Sequence, residues 1–496
     1  MNKQIKYGAL ISYIALFINI VIGLVYSPWV IRSIGKADYG LYTLALSIIS
    51  LFVFDFGLGS AVTRFIAKYN AEGRQDKVNN FIGMTVKLYL LADIFIIVLL
   101  SAVFLLIPVL YKGLTPEEIE KFKIVFVISS SFSIVSFPFI PANGILSAYE
   151  KFIPLKLCDL AHKLIIVVLM SICLLLGFGL YALVIVNAVA GILTIILKLI
   201  SINKYININI NWNFWDKKEI KAVLGFSVWV MIMAICQRCV LNICPSILGM
   251  LSNTSAIAVF GVAVTIEGLI YSFANALNGL FLPKVSKMVA NNDNNAIQDL
   301  MTRVGRIQIF IISLLIIGFI CVGQSFIEAW LGPEYTEVFW CVVLLIAPSF
   351  IYLPEEVANT TCVAKNKVKY QAYISILKGI TNVVIAFPLV KLCGVYGMAL
   401  SVFISYSVSI FFSNILYKKQ LNINIKLFFA QSFLKFAPSL FLVFILTYTA
   451  TSFIAFSGWL GVIMKGSVVV SIYFPIMYLC GLNKSEKKLF ISFIRR

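Results

Sequence analysis

Apolar stretches of about twenty residues recur along the chain, separated by short polar and charged connections. An α-helix of that length crosses the ~30 Å hydrocarbon of a bilayer. Fourteen such stretches can be marked, beginning near Gly8, Tyr39, Ile82, Ile124, Leu155, Leu180, Ala222, Ala256, Gly305, Val338, Tyr370, Val395, Leu434 and Leu460. The first follows Lys3 and Lys6 and has no small-residue cleavage pattern, so it reads as an uncleaved first helix. The pattern predicts an all-α integral membrane protein with both termini on one side.

The basic residues decide which side. Cytoplasmic loops of membrane proteins collect Lys and Arg. Of the 40 Lys and Arg, 29 fall at the termini or in alternate connections, among them Arg64, Lys68, Arg74, Lys77, Lys284, Lys287, Arg303 and Arg306. The opposite connections hold six, and five lie within spans. One wrong span would invert every later connection, so both termini are expected in the cytoplasm.

The connection 202–220, with alternating Asn and Ile and then Trp212 and Trp215, reads as an interfacial linker. It separates a six-helix bundle at 1–201 from a second at 221–417, leaving two further helices and a tail at 418–496. Gly40-Leu-Tyr42-Thr-Leu-Ala45 resembles Ala258-Val-Phe260-Gly-Val-Ala263, as expected of halves related by an axis along the membrane normal.

Composition narrows the chemistry. Charged residues make 12% of the 496 residues, about half of what a soluble globular protein carries, and the mean hydropathy is +0.98. His162 is the single histidine, which leaves almost no material for His-ligated metals or a Ser/His pair. Ten cysteines lie mostly in apolar runs, and Cys236-x-x-Cys239 has no second pair, so they read as small hydrophobes. No connection much exceeds ~25 residues and no phosphate-binding glycine loop is present, so no nucleotide-driven domain is expected. No cofactor is implied; the energy source is expected to be an H+ or Na+ gradient or the membrane potential. The net charge of +19 follows from topology and contact with anionic lipid, without a nucleic-acid partner.

Ile34-Gly35-Lys36-Ala37-Asp38-Tyr39-Gly40-Leu41-Tyr42, then Asp55-Phe56-Gly57-Leu58-Gly59 and Arg64-Phe65, resembles the start of bacterial polysaccharide flippases of the O-antigen flippase type. These belong to the multidrug/oligosaccharidyl-lipid/polysaccharide exporter superfamily. The resemblance implies two helical bundles in a V, as in MATE transporters. It also implies alternating exposure of a cavity that carries undecaprenyl-diphosphate-linked oligosaccharide across the bacterial cytoplasmic membrane for surface polysaccharide assembly. Polysaccharide polymerase and assembly proteins would be its partners, beside membrane lipids. Many relatives have an acidic residue soon after the polar pair in span 7, where this chain has Gln237-Arg238 and Asn242.

A charge inside the bilayer costs ~2.5–3.5 kcal/mol on insertion scales and so faces protein or a watery cavity. A lipid diphosphate calls for cations there, and Arg offers a fork matched to phosphate oxygens. Arg238, near the middle of span 7, is the leading substrate-binding candidate; its alternative is an ion pair with Glu267. Glu267, Tyr271, Asn275 and Asn278 share one face of span 8, suited to a glycan or ion path or to helix association. Gln371, Ser375, Lys378 and Asn382 share a face of span 11 in the same way, with Lys378 near mid-depth. Lys156, Asp159, His162 and Lys163 gather in span 5, Lys163 being a further substrate-binding candidate and Asp159 its i, i+4 partner. Asp55, Arg64 and Glu267 are candidates for gating or ion coupling. Two other functions fit the same spans: a cation-coupled multidrug antiporter, which should favour acids in its cavity, and a membrane polysaccharide polymerase, which should carry a large outer loop. The first expectation is a non-enzymatic flippase.

Overall fold

The computed structural model describes residues 21–206, 208–275, 281–291, 293–483, 486–487 and residue 18. Every regular element among them is helical: α1 Val21–Ile34, α2 Lys36–Phe52, α3 Leu58–Ala71, α4 Gln75–Leu110, α5 Pro116–Ser136, α6 Pro141–Ala148, α7 Phe152–Leu175, α8 Leu180–Tyr205, α9 Lys217–Leu241 and α10 Cys244–Leu251. There follow α11 Thr254–Asn275, α12 Leu282–Ala290, α13 Asn294–Trp330, α14 Glu337–Ile346, α15 Ser349–Tyr352, α16 Glu356–Ala364, α17 Val368–Leu421, α18 Ile425–Phe429, α19 Lys435–Ser452 and α20 Gly458–Ile476.

Nine helical stretches among the described residues are long and apolar enough to cross a membrane, or eleven if each of two bent pairs counts as one. The bends have local causes. Pro245 opens α10 after a 40° turn from α9, and Pro348 and Pro354 flank α15 in a stretch that bends by 58° before α16. Pro138 and Pro141 part α5 from α6, because a proline removes a helical hydrogen bond and clashes with the preceding turn. In α17, Gly394 takes φ 56° and ψ −130°, a conformation only glycine adopts readily, and divides 54 residues into two helices near the start expected for a twelfth span.

Two compact units result, one of residues 1–258 with 386–394, the other of 259–385 with 395–496. The connection 202–220 lies within the first. It docks on the start of α4, where the Asn209 and Asn211 backbone N–H groups donate to Asn79, and Lys87 Nζ donates to the Phe214 carbonyl at 3.2 Å. Trp212 and Trp215 stay exposed. At the other end of the first unit, Thr115 and Glu118 form a capping box that starts α5, and Thr254 Oγ1 donates to Glu118 at 2.6 Å. In the second unit, α13 is the central rod, packed against α14, α16, α19 and α20. Phe436, Val443, Tyr473 and Met477 fill its core beside Ile309.

Candidate functional site

Polar groups inside apolar helices collect at one break in the first unit and along one tyrosine series in the second.

In the first unit, the chain leaves the helical path between α2 and α3. Phe56 and Gly57 take φ 50° and 74°, and Asp55 Oδ1 accepts from the Gly57 N–H at 2.9 Å. A side chain at Gly59 would strike Asp55 Oδ2, at 2.6 Å from the Cβ position, so glycine there lets the carboxylate fold against α3. The α2 carbonyls left without helical partners need donors. Helix α9 supplies them: Arg238 Nε donates to the Ser50 carbonyl at 2.6 Å and its guanidinium lies 4.6 Å from the Phe54 ring centroid. Asn242 Nδ2 donates to Ser50 Oγ at 2.7 Å, Ser47 Oγ donates to the Asn242 carbonyl, and Ser227 Oγ donates to the Gly57 carbonyl at 3.3 Å. Arg238 is half-buried, feels the Asp55 charge, and makes no ion pair among the described residues. Its one other bond, Nη1 to the Ala234 carbonyl at 3.4 Å, is long.

Arg64 lies on exposed α3 surface beyond this break. The helix interruption at residues 53–57 means that no continuous helical wheel relates it to Asp55. Lys163 is also exposed, beside a cavity of about 570 Å³ lined by Asn143, Lys156, Asp159, His162 and Lys198. Asp159 is held there by Lys198 at 2.9 Å and Lys156 at 3.8 Å, and His162 Nδ1 meets Thr194 Oγ1 at 3.0 Å.

The second unit places Glu267 and Tyr271 on one face of α11; the side chain of Asn275 and all of Asn278 lie outside the described residues. Tyr271 faces Tyr352 at 6.3 Å between ring centroids, Tyr352 stacks on Tyr406 at 5.5 Å, and Lys378 Nζ sits 4.3 Å from the Tyr406 centroid. Glu267 and Glu356 are both near enough to act on Tyr271. Gln371 donates to the Asn359 carbonyl at 3.0 Å, and Asn382 is buried, accepting from Ser401 at 3.0 Å across the Gly394 break. The sequence pattern pointed to Glu267 and Tyr271 on α11 and to Lys378 and Asn382 on α17. It missed Tyr352, Tyr406 and the acids at 355 and 356. Pro354-Glu355-Glu356 inside the apolar stretch 337–364 was the readable signal. Glu355 is buried and accepts from Asn414 at 2.9 Å.

The long apolar helices of both units, each with charged and aromatic groups set among them, mark a multi-pass membrane protein. Among the described residues no cluster of His, Cys, Asp and Glu could hold a metal ion. The chain belongs to the polysaccharide biosynthesis protein family, whose profile matches residues 5–289. No curated protein matches it by sequence. Solved structures share the fold. The lipid II flippase MurJ in an inward closed conformation aligns with TM-score 0.77 at 15% identity, over 95% of this chain and 98% of that one. An inward-facing multidrug resistance MATE transporter of the MOP superfamily aligns with TM-score 0.68 at 13% identity, over 81% and 98%. The MATE multidrug transporter DinF-BH aligns with TM-score 0.59 at 15% identity, over 85% and 96%. These three proteins are a lipid flippase and two multidrug transporters.

Proposed function

We propose that the protein is a flippase that moves undecaprenyl-diphosphate-linked oligosaccharide across the bacterial cytoplasmic membrane by alternating access, for surface polysaccharide assembly. The observation that carries the reading is the half-buried Arg238 guanidinium. One short bond fixes its Nε end, and no carboxylate pairs with it among the described residues. Guanidinium donors left over in a low-dielectric setting fit phosphate oxygens. Family membership and the fold common to a lipid II flippase support the same reading. Lys378 above Tyr406, with Tyr352 and Tyr271 in series, offers a cation and ring faces of the kind that hold sugars or acidic headgroups.

In this reading the chain has fourteen spans and two cytoplasmic termini. It draws on an H+ or Na+ gradient or the membrane potential, takes no cofactor, and hands its product to a polysaccharide polymerase and assembly proteins. The test is mass spectrometry of lipid extracts from cells with and without the protein. Accumulated lipid-linked oligosaccharide in its absence is expected; unchanged lipids would overturn the reading. A multidrug antiporter is the second reading, favoured by Glu267 and Glu356 beside Tyr271, an acidic and aromatic setting for organic cations. Unchanged lipids together with lost efflux of a cationic dye would select it.

A further inference from the structure

Helix α4 carries Thr85, Tyr89 and Asp93 at intervals of four residues, so the three side chains share one face. They are 2%, 0% and 7% exposed, and Thr85 Oγ1, Tyr89 Oη and Asp93 Oδ1 each lack a hydrogen-bond partner. Phe137, just past α5, packs on Tyr89 at 5.3 Å between ring centroids, which sets the antiparallel register of the two helices. Four residues on from Tyr89, Asp93 therefore comes level with Ser133 and its neighbours. Ser130 and Ser133 bond to carbonyls of their own helix, but Ser129 Oγ is buried without a partner, a fourth such oxygen in one wall. At the other end, Tyr89 Oη and Asp55 Oδ2 converge on Gly59, 4.0 Å and 2.6 Å from its Cβ position.

Buried oxygens without partners are rare, and several in a row are what ordered water satisfies. Thr85 to Asp93 spans ~12 Å of helix, too long for all these oxygens to ligate one metal ion but suited to a string of waters. Asp93 is eighteen positions from Gln75 and seventeen from Leu110, so it sits at the midpoint of α4, the longest helix among the described residues of the first unit. The charged groups of the helices packed against α4 lie elsewhere: Lys36 and Asp38 at the start of α2, Arg64 and Lys68 along α3, Glu117 to Lys123 in the first turns of α5. Among the described residues, Tyr89, one turn away, and Asp55 beyond it are the titratable groups along the same wall.

We propose that Asp93 is a proton-binding site at the inner end of a hydrated column that runs past Tyr89 to Asp55 at the α2–α3 break. Among the described residues no cation forms an ion pair with the Asp93 carboxylate, and a proton, delivered through water and hydroxyls, neutralises it without a countercharge. The proposal deepens the transport reading by assigning the proton as its coupling ion, and its test needs no substrate. The full-length protein in lipid nanodiscs is titrated with acid under infrared difference spectroscopy, alongside Asp93→Asn, Asp93→Glu and Tyr89→Phe. The expected result is a carbonyl stretch of a carboxyl shielded from bulk water, absent in Asp93→Asn, kept but shifted in Asp93→Glu, and exchanging with deuterium several-fold more slowly in Tyr89→Phe. Circular dichroism of each variant reports the fold. Identical spectra for the wild type and Asp93→Asn would overturn the site, as would removal of the band by sodium at constant pH. Loss of the band with unchanged export of lipid-linked sugar would uphold the proton site and count against its role in flipping.

Discussion

Arg306 in the second unit and Arg238 in the first are both arginines within long helices, and their surroundings differ in every respect that matters for function. Arg306 is 3% exposed. Its Nε and Nη2 grip both oxygens of Glu486 at 2.6 and 3.0 Å, Nη1 donates to the Gln431 carbonyl at 2.9 Å, and Nη2 donates to the Gly481 carbonyl at 2.8 Å. The plane of the guanidinium lies 4.3 Å from the Phe436 centroid. That arginine ties the end of the chain to α13 and to the turn before α19, and nothing remains for a ligand. Arg238 has one short bond to a backbone carbonyl and a ring beneath it. The comparison teaches that a charge in an apolar helix is assigned by counting its satisfied donors: four good bonds describe a structural clasp, one describes a group held in position.

The largest expected effect follows from breaking the clasp. Arg306→Ala leaves Glu486 buried and unpaired, and should cost ~3–5 kcal/mol, read as a lowered thermal midpoint in detergent. Replacing both partners, Arg306→Met with Glu486→Leu, should recover most of that loss, because an apolar pair of similar volume carries no desolvation penalty. Failure of the double variant to recover would mean that the Gln431 and Gly481 carbonyls depend on the arginine.

Arg238→Ala should do the reverse. It removes one charged hydrogen bond worth ~1.5–3 kcal/mol, a smaller stability loss than at Arg306, while export of polymer falls at least tenfold (~1.4 kcal/mol). Arg238→Lys should keep the charge and lose the fork, giving export between the two. A variant that loses stability as far as Arg306→Ala does, yet exports normally at matched protein level, would put Arg238 in the structural class.

Smaller effects belong to the second unit. Lys378→Met should reduce export several-fold, as the loss of a cation–π contact worth ~0.5–2 kcal/mol, whereas Tyr406→Phe, which keeps the ring face, should sit near wild type and Tyr406→Leu should match Lys378→Met. Export assays at equal protein level check all three. Least of all, and back in the first unit, Lys121→Ala removes contacts to Asp38 and Glu117 at 3.8 and 3.4 Å on exposed surface and should change stability by less than ~1 kcal/mol.

Much of this was readable from residue order alone. Helices such as α7, α8 and α20 start within a few residues of the expected apolar stretches, because hydrophobic length is a local property. Breaks at Pro245, Pro348 and Pro354 are local too, since each proline removes a helical hydrogen bond where it stands. Partners are not. Arg306 counts as a loop cation when span 9 is started at Gly305, yet α13 begins eleven residues earlier, and its carboxylate comes from residue 486. Asp93 looks like one acid in an apolar run, and only the packing of α4 on α5 shows that its oxygen is buried without a partner. Tyr352 and Tyr406 are 54 positions apart and stack only through the course of α17. Arg238 itself was found by charge and depth, but its grip on Ser50 depended on the interruption of α2, which the Gly57 and Gly59 spacing hinted at without fixing.

The most direct test of the central claim compares wild type, Arg238→Ala and the Arg306→Met/Glu486→Leu pair for exposure of lipid-linked sugar at the outer face of intact spheroplasts, at matched protein level. Outward exposure is expected with the wild type and the repaired clasp, and sugar confined to the inner leaflet with Arg238→Ala. Equal outward exposure in all three would contradict that claim.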